Sequence, residues 1–235
     1  MRHVPRWAIL TAAAFGLLPD WRVRAGEEDG VALAILYDTS GSMQDSVRNA
    51  AGKQEPKFVI ADRALQMIAG QLQAFSTNAQ PGETHRIDAG LFTFSGSGAK
   101  VAVKFGPLDA RAIERWAESF STPGGGTPLG NALRTAAQTV LDSPLPRKHV
   151  LVITDGNNTL GPPPARVIPA LNRLADQKQC RLAVHFVAFD VAASAFDSVK
   201  RLGASVVSAA DEQQLNTQLN FILRRQILLE KENTQ

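Results

Sequence analysis

The sequence predicts an α/β fold: a single doubly wound, Rossmann-like, mostly parallel sheet with helices on both faces and one antiparallel edge strand. Three observations carry that expectation. Apolar runs of strand length alternate with longer stretches of helical periodicity through most of the chain. The first run, Val31–Tyr37, is apolar at every position and ends in Asp38, as expected of a strand covered on both faces. A length of 235 residues, 44% hydrophobic and 20% charged, fits one large globular domain and excludes disordered, collagenous and coiled-coil chains.

The elements follow in order. Lys57–Leu72 places Phe58, Ala61, Leu65, Ile68 and Leu72 at helical spacing. Ile87–Phe94 and Lys100–Phe105 read as strands, and the turn chemistry of Ser95-Gly96-Ser97-Gly98 makes them a hairpin. Asp109 is placed to cap a helix that shows Ile113, Trp116 and Phe120 on one face. Pro128–Leu141 carries Leu129, Leu133, Ala136, Ala137 and Val140 on one stripe. His149–Thr154 is a buried strand, Ala165–Lys178 a helix and Leu182–Phe189 another strand. A short helix over Phe196–Leu202, a short strand over Ser205–Ser208 and an amphipathic helix over Leu215–Leu228 complete the alternation. Strands alternating with helices imply βαβ units and a parallel sheet.

The chain's beginning reads as an export signal. Arg2 and Arg6 precede the uncharged run Trp7–Leu18, Pro19 breaks it, and Val23-Arg24-Ala25 supplies small residues at the −3 and −1 positions of a cleavage site. The run is shorter than the ~20 residues a membrane span needs. The expected organisation is a signal peptide over 1–25 and one domain over 26–235, its core running from about 31 to 228. The product is expected to be periplasmic or extracellular, with no stable membrane insertion after cleavage. Cys180 is the single cysteine, so no disulfide forms within the chain. The formal charge of +3 hints at nucleic acid or an anionic surface. Residues 1–25, however, hold four of the 25 basic and one of the 22 acidic residues, leaving 21 of each. No basic field remains to favour nucleic acid.

In open α/β sheets the working loops lie at the carboxyl ends of the strands. Three loops expected there carry unusual residues: Asp38-Thr39-Ser40-Gly41-Ser42, Gly124-Gly125-Gly126-Thr127-Pro128 and Thr154-Asp155-Gly156. Singly, each reads as turn chemistry. Together, Asp38-x-Ser40-x-Ser42, then Thr127, then Asp155 resembles the metal-ion-dependent adhesion site of von Willebrand factor type A domains. The resemblance spans nearly the whole chain from about Val31 to the last helix. Independently of it, three hydroxyls and two carboxylates form an all-oxygen set suited to Mg²⁺, with Mn²⁺ or Ca²⁺ possible, rather than to zinc.

The resemblance implies that Ser40 and Ser42 ligate directly, while Thr127, Asp38 and Asp155 ligate directly or through water. It further implies that a partner protein completes the coordination with an Asp or Glu side chain. Gln44, Asp45, Asn157 and Asn158 flank the motif loops and form the candidate contact rim. An enzyme is the competing class: a metal-dependent hydrolase or phosphatase with Asp38 as nucleophile. A haloacid-dehalogenase-like phosphatase needs a second carboxylate where Ser40 stands. A serine hydrolase needs a Gly-x-Ser-x-Gly elbow, which Ser40 and Ser42 lack, and a phosphate-binding loop needs a lysine before Thr127. The sequence therefore favours a binding module over a catalyst.

Overall fold

The computed structural model describes residues 30–78, 85–96 and 98–229; the expected signal peptide lies outside them, as does Ser97 of the expected turn. Strand β1 (Gly30–Asp38) is buried at all nine positions. Val31, Leu33, Ile35 and Tyr37 enter one apolar cluster, and Ala32, Ala34 and Leu36 enter another on the opposite face. This is the period of two working on a strand that has no solvent side. A 3₁₀ turn (Gly41–Gln44), then β2 (Ser46–Arg48) and β3 (Gln54–Pro56) lead into α1 (Lys57–Thr77). Next come β4 (Arg86–Ser95), β5 (Gly98–Pro107), α2 (Ala110–Ser119), α3 (Leu129–Leu141) and β6 (Arg147–Thr154). The chain continues through α4 (Pro164–Gln177), β7 (Leu182–Phe189), a 3₁₀ turn (Ala193–Phe196), α5 (Asp197–Lys200) and β8 (Ser205–Ala209). Helix α6 (Glu212–Phe221) runs into a π-helical segment, Ile222–Leu228.

Six strands form one sheet in the order β5-β4-β1-β6-β7-β8, parallel throughout except for the antiparallel pair β4–β5. Helices α1, α2 and α6 bury apolar residues on one face, and α3, α4 and α5 on the other. The alanines at 32 and 34 meet Ala132, Ala136 and Ala137 of α3 in one cluster, and small side chains on both surfaces let that helix lie close to β1. From β1 the strand order runs outward to β4 on one side and to β6 on the other. The crevice at the carboxyl ends of β1 and β6 is thus the topological switch point, where ligands of such sheets bind.

The expected class, the antiparallel edge and every expected strand are present. The differences are local. Asp109 caps α2 as expected, accepting from the Ala112 N–H at 2.8 Å. The final helix begins earlier than its apolar stripe because Asp211 caps it at Gln214 N–H, 2.8 Å away. The short helix expected over Phe196–Leu202 is divided between the second 3₁₀ turn and α5. The β2–β3 hairpin had no expectation behind it, because its strands are three residues each and mostly polar. Among the described residues, no helix is long and apolar enough to cross a membrane.

One polar pair lies inside the α1 side of the core. Tyr37 donates its hydroxyl to Asp62 Oδ1 at 2.6 Å, with Trp116 and Phe120 edge-on to the tyrosine ring. Burial raises the Asp62 carboxyl to about 7, against the lowering hydrogen bond from Tyr37 and the charge of Arg63. The unfolded carboxyl titrates near the ordinary value of 3.8. The folded protein therefore binds the extra proton between those two values. Stability from this group is complete below the lower one and is lost as pH rises through about 7. Asp62→Asn should consequently stabilise the protein at pH 8 by roughly 2 kcal/mol, less than the whole shift converts to because solvent screens part of the group. The gain should shrink toward pH 5 in urea unfolding curves. A gain independent of pH would show that the buried charge is not its source.

Candidate functional site

Three loops are tied together at the carboxyl end of β1 before any side chain is considered. The Thr39 N–H donates to Phe94 O (3.1 Å), Gly41 N–H to Gly125 O (3.0 Å), Gly124 N–H to Thr39 O (2.8 Å) and Gly96 N–H to Gly126 O (2.9 Å). The triple-glycine segment is thus laced to the loop after β1 and to the β4–β5 turn. Gly125 has φ +83°, and a Cβ there would lie 3.1 Å from Gly96 N. Both the conformation and the close approach require glycine.

The five motif residues meet in this frame. Asp38 is completely buried; its Oδ1 accepts the Ser40 N–H at 2.8 Å and its Oδ2 the Thr154 hydroxyl at 2.6 Å. The Ser40 and Ser42 hydroxyls are 3.2 Å apart, and Ser42 donates to Asp155 Oδ1 at 2.7 Å. Thr127, also buried, is clamped through its backbone: its N–H donates to Thr159 Oγ1 (2.7 Å) and its carbonyl accepts the Thr159 N–H (2.9 Å). A Cβ built on Gly156 would lie 3.6 Å from Ser42 Oγ and 3.7 Å from Thr127 Oγ1, so both hydroxyls face one point beside that glycine. Burial pushes the Asp38 carboxyl up to about 6, against the hydrogen bonds from Ser40 and Thr154 that lower it.

The rim residues divide. Asn158 accepts the Gly130 N–H at 3.0 Å in the first turn of α3 and donates to Gly161 O at 3.0 Å, which gives it a structural task. Gln44 donates to Pro123 O at 2.6 Å and so bridges two of the loops. Asp45 and Asn157 are exposed. Three contributors lie outside the five-residue motif. Thr154 is the hydroxyl on Asp38. Lys57, nearly buried at the start of α1, places its ammonium 3.1 Å from Asp155 Oδ2, 3.0 Å from Asp190 Oδ2 and 3.8 Å from Asp45 Oδ2. Asp190 directly follows β7 and lies in the left-handed region, φ +56°. Burial opposes the Lys57 charge, but hydrogen bonds from its ammonium to Asp190 and Asp155, with the charges of both, outweigh it and hold its pKa above the usual lysine value. A lysine among the apolar residues 61, 64 and 68 on one helix stripe is the signal that could have revealed it.

A family model for the von Willebrand factor type A domain matches residues 33–157. No curated protein sequence matches the chain. Among solved structures it is similar to the PilB minor pilin from Streptococcus sanguinis, with 18% identity, 84% of this chain and 61% of that one covered, and TM-score 0.64. It is also similar to the vWF domain of the type V pili tip protein Mfa5 from Porphyromonas gingivalis (12% identity, 88% and 99% covered, TM-score 0.59). A third is proximal thread matrix protein 1 from the mussel byssus with a zinc-occupied MIDAS motif (17% identity, 83% and 48% covered, TM-score 0.59). The chain thus spans about three fifths of the pilin and half of the byssus protein. At these identities the likeness concerns the fold.

Thr154→Val keeps the shape of the side chain and takes away the hydroxyl on Asp38 Oδ2. A buried carboxylate left short of a donor should cost roughly 1–3 kcal/mol in thermal or urea unfolding. An unchanged midpoint would mean that Oδ2 finds another donor.

Proposed function

Since the chain belongs to the von Willebrand factor type A domain family, we propose that it is an exported binding module that recognises a partner protein through a divalent cation. Asp38, Ser40, Ser42, Thr127 and Asp155 are the residues that would hold the ion, and an Asp or Glu of the partner completes its coordination. The observation that carries this reading is Asp38. A carboxylate with no exposed surface sits at the switch point of the sheet, and among the described residues no lysine or arginine pairs with it. Burying such a charge is costly unless a cation or several donors offset it. Around it stand the Ser40, Ser42 and Thr127 hydroxyls, neutral oxygen donors of the kind a hard cation accepts.

The donor set fits Mg²⁺ best, with Mn²⁺ or Ca²⁺ as alternatives. Among the described residues no group of three or more His, Cys, Asp and Glu side chains is arranged for a metal, so hydroxyls must supply much of the coordination. Mg²⁺ keeps several waters when protein-bound, and one of those positions is where an acidic side chain would enter. The zinc in the byssus relative makes Zn²⁺ a further ion to titrate. The geometry favours binding over catalysis by Asp38. Both of its oxygens are engaged and neither reaches the surface, which a nucleophile attacking a substrate would need. The named pilus and matrix relatives support an extracellular setting.

Three measurements test the proposal. Calorimetric titration of the purified protein with Mg²⁺ and Mn²⁺ should give saturable heat that Asp38→Ala abolishes; equal heats for both proteins would sink the cation site. A partner captured in Mg²⁺ should elute with EDTA. For export, N-terminal sequencing of material recovered outside the cytoplasm should begin at Gly26, whereas Met1 on that material would refute cleavage.

A further inference from the structure

The Asp155 carboxylate is shared before any ligand arrives. Its Oδ1 accepts from Ser42 and its Oδ2 from the Lys57 ammonium, at 2.7 and 3.1 Å. Lys57 is itself held on the far side by Asp190, whose oxygen is 3.0 Å away and whose backbone is anchored by its N–H to Ala209 O at 2.7 Å. Asp190 takes up a left-handed conformation that side-chain-bearing residues seldom adopt, so the surrounding structure enforces its placement. The ammonium is also flanked by Asp45, 3.8 Å away on the exposed rim. Three carboxylates, Asp45, Asp155 and Asp190, therefore surround one buried fixed positive charge at the end of the sheet that Asp38 also occupies.

We propose that Lys57 sets the charge of the cation site: by holding Asp155 Oδ2 it leaves a bound divalent ion under-neutralised, loosely retained and strongly attractive to an acidic ligand. The inference rests on the cation reading given above and adds a residue to it. The physics is that of competing charges. Opposite charges a few ångströms apart in a partly buried site interact by several kcal/mol at an effective dielectric constant near 20. An ammonium on Asp155 thus subtracts much of that carboxylate's attraction for the ion. What the ion loses in attraction from the protein is recovered as affinity for a carboxylate from outside. The lysine also screens Asp45 and Asp190, which would otherwise repel an approaching acidic side chain.

Titration of the purified wild-type protein, Lys57→Met, Lys57→Arg and Asp190→Asn with Mn²⁺ alone tests this. Lys57→Met keeps the apolar stem and removes the charge; it should bind Mn²⁺ about tenfold more tightly. Lys57→Arg should stay near wild type. Asp190→Asn touches no proposed ligand and frees the ammonium for Asp155, so it should bind Mn²⁺ more weakly; tighter binding in Lys57→Met beside weaker binding here is a pattern that general loosening of the fold would not produce. Acetate titrated into the Mn²⁺-saturated proteins should bind several-fold more weakly to Lys57→Met than to wild type. Wild-type binding of Mn²⁺ with equal or weaker binding by Lys57→Met would overturn the proposal and leave the cation site standing. No Mn²⁺ binding by any of the four would overturn the cation reading and this inference with it. Tighter Mn²⁺ with unaltered acetate affinity would refute the part concerning the acidic ligand. If Lys57→Met melts too low to titrate, the sign of the Asp190→Asn shift decides, since tighter or unchanged Mn²⁺ binding there contradicts the proposal.

Discussion

Everything in this fold is referred to β1. It pairs in parallel with β4 on one edge and β6 on the other, and its two faces feed the two apolar clusters. A strand with no solvent side can tolerate polarity only at its ends. Asp38 stands at the carboxyl end, where hydrogen bonds from Ser40 and Thr154 offset part of the cost of its burial. The nine buried positions therefore do two things at once. They fix the sheet, and they hold a carboxylate in a place where water cannot solvate it. The loops carrying Ser40, Ser42, Thr127 and Asp155 close over that end because their backbone groups bond to one another.

Much of this was legible in the sequence because it depends on local periodicity. Runs such as Val31–Tyr37 and His149–Thr154 admit little other than buried strands, and the stripe of α3 could be read to its last turn. The motif residues were legible for a different reason: serines and aspartates just beyond apolar runs sit by topology at the end of the sheet where loops gather. What escaped was either short or non-local. The β2–β3 hairpin has too few apolar residues to show a period. Lys57 and Asp155 are 98 positions apart and Asp38 and Thr154 are 116 apart, and neither Lys57 nor Thr154 belongs to a pattern that announces its partner. Asn158 shows the converse, a polar loop residue whose hydrogen bonds serve the start of α3.

The glycines and prolines around the site shape the backbone. The Pro162 carbonyl oxygen would lie 2.0 Å from a Cβ on Gly130, so the proline-rich loop is seated directly on the first turn of α3. Pro164 then starts α4, where its missing N–H costs nothing. The same turn of α3 follows Thr127 by two residues. The placement of the third hydroxyl thus depends on how closely a stiff loop can approach a helix without side chains between them.

The parallel pairing of β1 with β6 has a consequence for the order in which the molecule is made. Val31 is registered with Arg147, and Thr154 must be present before Asp38 has its second donor. Contacts so distant in sequence close slowly and carry a large loop entropy. While β6 is still being synthesised, β1 has its β4 edge at most and an apolar edge left bare, a state in which unfinished chains aggregate or are held by chaperones. Until β6 is made, the first half of this protein holds its central strand with only one of its two edges paired. The end of the sheet where the loops gather therefore takes shape only after more than half of the chain has been made.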